Sequence, residues 1–325
     1  MAPHVVVTRR LPDALRAELG ARFDVTEHDG DLPLPREELL ALVAGAEGIL
    51  AMVSDRVDGE LLDAAGPQLR VVANHGVGYD NVDVPEATRR GVLVSNTPDV
   101  LTDATAELTL AILLALVRRV AEGDRFLRTG EPWTWTPRWM LATGLSGRTL
   151  GIVGLGRIGA AVARLAVAFG MDVVHATRSP RPDAPYRQVP LDELLATVDV
   201  VSLHCPLTAE TRHLIDADAL RRMRRDAFLV NTTRGPVVDE AALVEALRAG
   251  EIAGAALDVF EREPEVHPGL RDLPNAVLTP HLGSGTTDTR HAMGMLCVTA
   301  LEAVLVEDRC PSNAIDPSAF RPAAG

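Results

Sequence analysis

Three side chains in the last third of the chain have the types needed to move a proton at a carbonyl. His281 follows Pro280 and precedes Gly283-Ser284-Gly285. Imidazole titrates near working pH, so His281 is the candidate acid–base for an alcohol or carbonyl oxygen. Glu263 is the candidate partner of its other ring nitrogen, where a carboxylate fixes the tautomer and favours the imidazolium. Arg234 ends an apolar run and is followed by Gly235. A guanidinium placed there can grip a carboxylate with two parallel bonds and polarise an adjacent carbonyl. A single histidine or arginine in a loop is usually structural or a surface charge. The case rests on the three together, downstream of a nucleotide fold.

That fold is legible upstream. An apolar run (Leu150 to Val153) leads into Gly154-Leu155-Gly156-Arg157-Ile158-Gly159, and an alanine-rich stretch runs to Phe169. After Gly170 a second apolar run ends at Thr177-Arg178-Ser179. Strand, glycine turn, helix and strand form the context in which GxGxxG binds a dinucleotide. The helix beginning near Arg157 would present free N–H groups and its positive end to a pyrophosphate. An NAD site usually carries a carboxylate about 20 residues on, for the ribose 2′-hydroxyl. Thr177 stands there instead, followed by a guanidinium and a hydroxyl, which suit a 2′-phosphate. NADP is therefore favoured, and NAD is the alternative if Arg178 is a solvated surface side chain.

Other polar residues fall where strands of this region should end: His204 with Cys205 and Pro206, and Asp258. Ligands of open α/β sheets bind at such carboxyl ends. Between His4 and about Pro98, strand-like and helical runs alternate, which predicts a small parallel α/β domain. Its loop Asn74-His75-Gly76-Val77-Gly78-Tyr79-Asp80 follows a strand, and its glycines free backbone N–H groups to face a carboxylate. A plain strand-to-helix turn would look the same. One long helix is predicted from near Asp103 to about Gly123, apolar all round between Leu108 and Val117. All three tryptophans (Trp133, Trp135, Trp139) fall in the next irregular segment, as an anchor for a contact or as a loop folded on its own core. A final helix, about Thr286 to Val306, returns toward the first domain.

Composition narrows the chemistry. The chain has 325 residues, enough for two domains, with 47% hydrophobic and 24% charged residues. A formal net charge of −13 argues against nucleic acid. Every Lys-or-Arg position is arginine, which excludes lysine Schiff bases and a P-loop lysine. Cys205, Cys297 and Cys310 have no metal-ligand spacing, so reduced thiols and no metal are expected. With neither a signal-peptide pattern nor an apolar segment of membrane length, the expectation is a cytoplasmic protein.

The chain resembles the D-isomer-specific 2-hydroxyacid dehydrogenases. The resemblance rests on Asn74–Asp83, Thr102–Leu116, Gly147–Gly159, His204–Thr208, Asn231–Glu240, Leu257–Pro264 and Thr279–Ser284. It implies a Rossmann nucleotide domain (100–287) inserted into a flavodoxin-like substrate domain (1–99 with 288–325), both doubly wound parallel sheets. It also implies a homodimer through the insert's first helix and loop. The family's catalytic arginine, glutamate and histidine fall on Arg234, Glu263 and His281, and its substrate loop on Val77 and Gly78. Candidate cofactor contacts are Thr102, Gly154, Leu155, Gly156, Arg157, Ile158, Gly159, Thr177, Arg178, Ser179, His204, Cys205, Pro206, Thr211, Thr232, Thr233, Arg234, Asp258, His281 and Gly283. The tryptophan segment with Thr177-Arg178 resembles the glyoxylate/hydroxypyruvate reductase branch, in which Trp135, or else Trp139, would reach the partner subunit's substrate. The implied activity is NAD(P)H-dependent reduction of a small 2-keto acid. Alternatives are an NAD-linked dehydrogenase of larger 2-hydroxy acids or of phosphoglycerate, and a nucleotide-sensing, corepressor-like interaction protein.

Overall fold

The computed structural model describes residues 1–322, which form two compact units. Met1–Leu101 with the chain from Thr286 onward makes the first, and Thr102–Gly285 makes the second.

In the first unit, strands β1 (His4–Val7), β2 (Asp24–Glu27), β3 (Gly48–Met52), β4 (Val71–His75) and β5 (Leu93–Ser95) alternate with helices α1 (Asp13–Gly20), α2 (Arg36–Leu42), α3 (Gly59–Ala65) and α4 (Val84–Arg89). The sheet is parallel, in the order β2-β1-β3-β4-β5. That is the flavodoxin-like order, with helices on both faces. Asp58 and Asp83 start α3 and α4 by accepting the N–H groups of Leu61 and Glu86. Val6, Ile49 and Val72 pack under α2 and α3 on one face. Val5, Leu50 and Val71 pack on the other, where Cys297, Val298 and Leu301 supply the cover.

The second unit begins with α5 (Thr102–Val117) and α6 (Val120–Arg128). The single helix expected to run to Gly123 is thus two. Its apolar run ends at Val117, and Arg119 turns left-handed (φ 55°) with its guanidinium on the Glu122 carboxylate. Solvating two arginines and pairing one of them outweighs one more turn of α5. Then follow β6 (Thr149–Val153), α7 (Arg157–Ala168), β7 (Asp172–Ala176), β8 (Arg187–Gln188), α8 (Leu191–Thr197), β9 (Val200–Leu203), α9 (Ala217–Arg222), β10 (Phe228–Asn231), α10 (Glu240–Ala249), β11 (Gly254–Leu257), α11 (Pro268–Arg271) and β12 (Ala276–Leu278). The chain returns to the first unit as α12 (Thr287–Leu305).

The second sheet is parallel, in the order β12-β11-β10-β9-β6-β7-β8. Its register positions the site. Val153 pairs with Ala176 and Leu203, Asn231 with Leu203 and Leu257, and Leu257 with Leu278. Six strands therefore end in one row, and the loops opening at Gly154, Thr177, His204, Thr232, Asp258 and Thr279 leave one edge. The strands are buried on both faces, with Leu203 and Leu229 fully inaccessible on one and Leu150 and Ile152 on the other. Each such side chain contributes roughly 1.5–3 kcal/mol of burial. Among the described residues no helix is long and apolar enough to cross a membrane.

Candidate active site

The glycine turn has the shape of an anion cradle. Gly154 is left-handed (φ +96°), and a Cβ there would lie 2.7 Å from the Cys205 nitrogen. A Cβ at Gly159 would lie 2.3 Å from the Gly154 oxygen, so α7 packs directly on the turn. A Cβ at Gly156 would meet nothing within 4 Å. Open space thus lies in front of α7, whose N-terminus has no side-chain cap. The positive end of a helix fits a pyrophosphate, so the residues present suit a dinucleotide.

Arg234 sits three residues past the end of β10. The Asn231 side chain spans the turn, with its Nδ2 donating to the Arg234 carbonyl (2.9 Å) and its Oδ1 accepting from the Thr233 N–H (3.0 Å). Glu263 follows β11. Its Oε1 accepts from the Phe260 N–H (3.0 Å) and its Oε2 lies 2.7 Å from His281 Nδ1. Partial burial raises the Glu263 carboxyl. The His281 hydrogen bond and charge, the Phe260 N–H and the Arg234 charge outweigh it and hold the pKa below the ordinary carboxylate range. With Nδ1 committed to Glu263, proton exchange falls to Nε2.

His281 has a left-handed backbone (φ 53°), held by its N–H on the carbonyls of Asp258 (2.8 Å) and Thr279 (3.1 Å). The fully buried Asp258 anchors the loop, accepting from Thr279 Oγ1 (2.6 Å), Leu282 N–H (2.7 Å) and Gly283 N–H (2.8 Å). Its pKa is raised by burial, against those bonds.

The nucleotide-domain model of the D-isomer specific 2-hydroxyacid dehydrogenases matches residues 110–283. Glyoxylate reductase of Thermococcus kodakarensis is 47% identical over 314 residues, spanning 93% of each chain. That of Pyrococcus horikoshii is 46% identical over 313 residues, again 93% of each. The chain belongs to the D-isomer specific 2-hydroxyacid dehydrogenase family. Among solved structures, the TT0316 protein of Thermus thermophilus matches with a TM-score of 0.91 and 50% identity, over 96% of this chain and all of that one. The NADPH-dependent glyoxylate/hydroxypyruvate reductase of Sinorhizobium meliloti, in complex with NADP and malonate, matches with a TM-score of 0.87 and 35% identity, over the whole of both.

The structure of this dehydrogenase puts the remaining site candidates in various roles. At the end of β7, Thr177 Oγ1 donates to the Ser179 carbonyl (2.9 Å) and Gln188 Nε2 holds the Thr177 carbonyl (2.9 Å). Arg178 and Ser179 are exposed, and the Arg178 charge reaches the Glu210 carboxylate. Burial pushes His204 down to about 3, and its Nε2 lies 2.8 Å from Ser202 Oγ, so it is a neutral ring. Burial pushes the Cys205 thiol up to about 11, which leaves it unreactive. Thr233 Oγ1 donates to the Cys205 carbonyl (2.6 Å), tying the ends of β9 and β10 together. Thr232 turns its hydroxyl to Thr109 of α5 (2.9 Å), and Thr211 donates to the Pro206 carbonyl (2.6 Å). Both hydroxyls have internal partners.

In the first unit, the carbonyls of Gly76, Val77 and Gly78 are taken by Thr97 N–H (3.1 Å), Asn96 Nδ2 (2.8 Å) and Asn74 Nδ2 (2.9 Å). Among the described residues no partner is found for the Val77 and Gly78 N–H groups. The loop is therefore a nest with free donors. Sequence reasoning missed Asn74 and Asn96 as its supports. The signal was available, since each is an amide at the carboxyl end of an apolar strand. It also missed Asn231 and the pair His213–Glu261, which no spacing rule connects.

Proposed function

We propose that this dehydrogenase reduces glyoxylate or hydroxypyruvate to the corresponding 2-hydroxy acid, with NADPH preferred over NADH. The observation that carries the chemistry is the 2.7 Å contact between His281 Nδ1 and Glu263 Oε2, with the Arg234 charge beside it. Its relatives named glyoxylate reductase and the NADP complex of the Sinorhizobium meliloti enzyme support the substrate class and the cofactor.

A bound nicotinamide supplies the hydride for the carbonyl carbon. The chain does the rest. Arg234 grips the substrate carboxylate and polarises the carbonyl oxygen. In the first unit, the N–H groups of Val77 and Gly78 are donors of the kind that suits a carboxylate. His281, oriented by Glu263, gives its Nε2 proton to the carbonyl oxygen as the new C–H bond forms. One hydride and one proton are added, and the neutral imidazole takes its next proton from solvent. Gly154–Gly159 hold the pyrophosphate, and Thr177, Arg178 and Ser179 meet a 2′-phosphate that no carboxylate at Thr177 repels.

Val120, Leu127, Trp133, Trp135, Trp139 and Leu141 are exposed apolar residues of α6 and the following loop. Trp139 stacks on Trp133 (ring centroids 5.8 Å apart) and meets Phe126 edge-on (5.3 Å), so the patch is ordered without being covered. A second copy of this chain is the proposed partner, with Trp135, 77% exposed, the most exposed of the six.

The test is the initial rate with glyoxylate and with hydroxypyruvate, each with NADPH and with NADH. The expected result is faster turnover with NADPH. Turnover with NADH alone refutes the 2′-phosphate argument, and no turnover of either acid refutes the substrate assignment.

A further inference from the structure

His213 lies in the loop between β9 and α9, outside every motif used above. Its backbone is left-handed (φ 51°). Its N–H donates to the Pro236 carbonyl (2.8 Å). Two residues on, Ile215 N–H donates to the Val237 carbonyl (3.1 Å) and the Ile215 carbonyl accepts from Asp239 N–H (3.0 Å). The stretch 213–215 thus runs alongside residues 236–239, which begin two positions after Arg234. The ring places Nε2 2.5 Å from Glu261 Oε1. Glu261 is two residues ahead of Glu263.

Glu261 is held a second time, at the start of α10. Its N–H donates to Glu240 Oε1 (2.6 Å), and its Oε2 accepts from the Glu240 N–H (3.3 Å). Glu240 is only 5% exposed. The two turns also touch directly, since a Cβ at Gly235 would lie 1.8 Å from the Phe260 carbonyl carbon. Phe260 in turn gives its N–H to Glu263. A continuous set of contacts therefore runs from the Arg234 turn through His213 to the turn whose carboxylate holds His281.

We propose that His213 is a positioning residue, a clip whose backbone holds the Arg234 turn while its ring holds the Glu261–Glu263 turn. It sets the guanidinium and the carboxylate relative to each other and touches neither substrate nor cofactor. Coupling of this kind matters because small displacements of a catalytic group cost large factors in rate. The clip's kinetic test rests on the reductase reading above.

The experiment uses the full chain with His213→Asn, Glu261→Ala, the double variant and His213→Gln. Asparagine tolerates the left-handed backbone and is too short to reach Glu261, while glutamine keeps a donor on a longer stem. Two quantities are measured: kcat and KM across glyoxylate, hydroxypyruvate and larger 2-keto acids, and amide hydrogen exchange of residues 259–266. The expected result is a fall in kcat on the order of tenfold in each single variant, with KM within about twofold. The double variant is no worse than the poorer single, because the two residues act through one contact. His213→Gln recovers most of the loss, and exchange at 259–266 quickens in every variant except this one. Unchanged kcat in His213→Asn, or additive losses in the double, overturns the clip. Should the wild type reduce none of the acids, the reductase reading fails, and exchange alone decides: retained protection in His213→Asn overturns the clip, and lost protection supports it.

Discussion

At the scale of single residues, the reading turns on one charge. Glu263 keeps its pKa below the ordinary value of 4.5 because His281 and Arg234 favour its ionised form more than burial opposes it. A depressed native pKa means that the stability from this ionisation is fully present above pH 4.5 and is lost as pH falls through the lower native value. Acid loss of the pair is therefore expected below pH 4.5, read from the acid limb of reductase activity together with unfolding at matched pH. Glu263→Gln keeps the shape and removes the charge. His281 then loses the carboxylate that orients its ring. The expected outcome is a drop of about 10²-fold in kcat/KM at neutral pH. A pH–rate profile unchanged from wild type would show that His281 does not depend on this carboxylate. These residues were legible in the sequence because Arg, Glu and His each ended or followed a strand. Asp258 was legible only as a polar residue at a strand end. Its three acceptor bonds to Thr279, Leu282 and Gly283 required the fold.

At the scale of elements, the glycines of the nucleotide turn separate binding from folding. A side chain at Gly159 would strike the Gly154 carbonyl, a backbone atom that cannot move aside, whereas one at Gly156 would enter open space before α7. Gly159→Ala is expected to destabilise the protein by roughly 1–3 kcal/mol, seen in urea unfolding. Gly156→Ala is expected to leave that midpoint unchanged and raise KM for the dinucleotide about tenfold, because its methyl occupies the space the pyrophosphate needs. Equal effects of the two substitutions on stability would contradict this division. The order strand, glycine turn, helix, strand was readable because each step has a local cause. The end of α5 was not, since it depended on the Arg119–Glu122 pair and on where the apolar cover stopped.

At the scale of the whole molecule, the apolar face of α6 and the tryptophan loop is left exposed by the described residues. Leu127 and Trp133 are 55% and 57% exposed. Leu127→Glu with Trp133→Glu is expected to convert a dimer to a monomer in analytical ultracentrifugation, since two buried charges oppose association. A wild-type chain that sediments as a monomer would refute the second-copy assignment.

The sequence by itself determined the two parallel sheets, the glycine cradle and the positions of Arg234, Glu263 and His281. Those depend on hydrophobic period, on backbone sterics at glycine and on which residue follows each strand, all of which are local. Tertiary structure alone decided that Glu263 Oε2 meets His281 Nδ1, that Thr232 turns its hydroxyl to Thr109, and that His213 Nε2 meets Glu261 Oε1. The contacted residues lie 18, 123 and 48 positions apart. Contacts that distant are set by strand register and by how loops pack at a common sheet edge, quantities that no local stretch of the chain encodes.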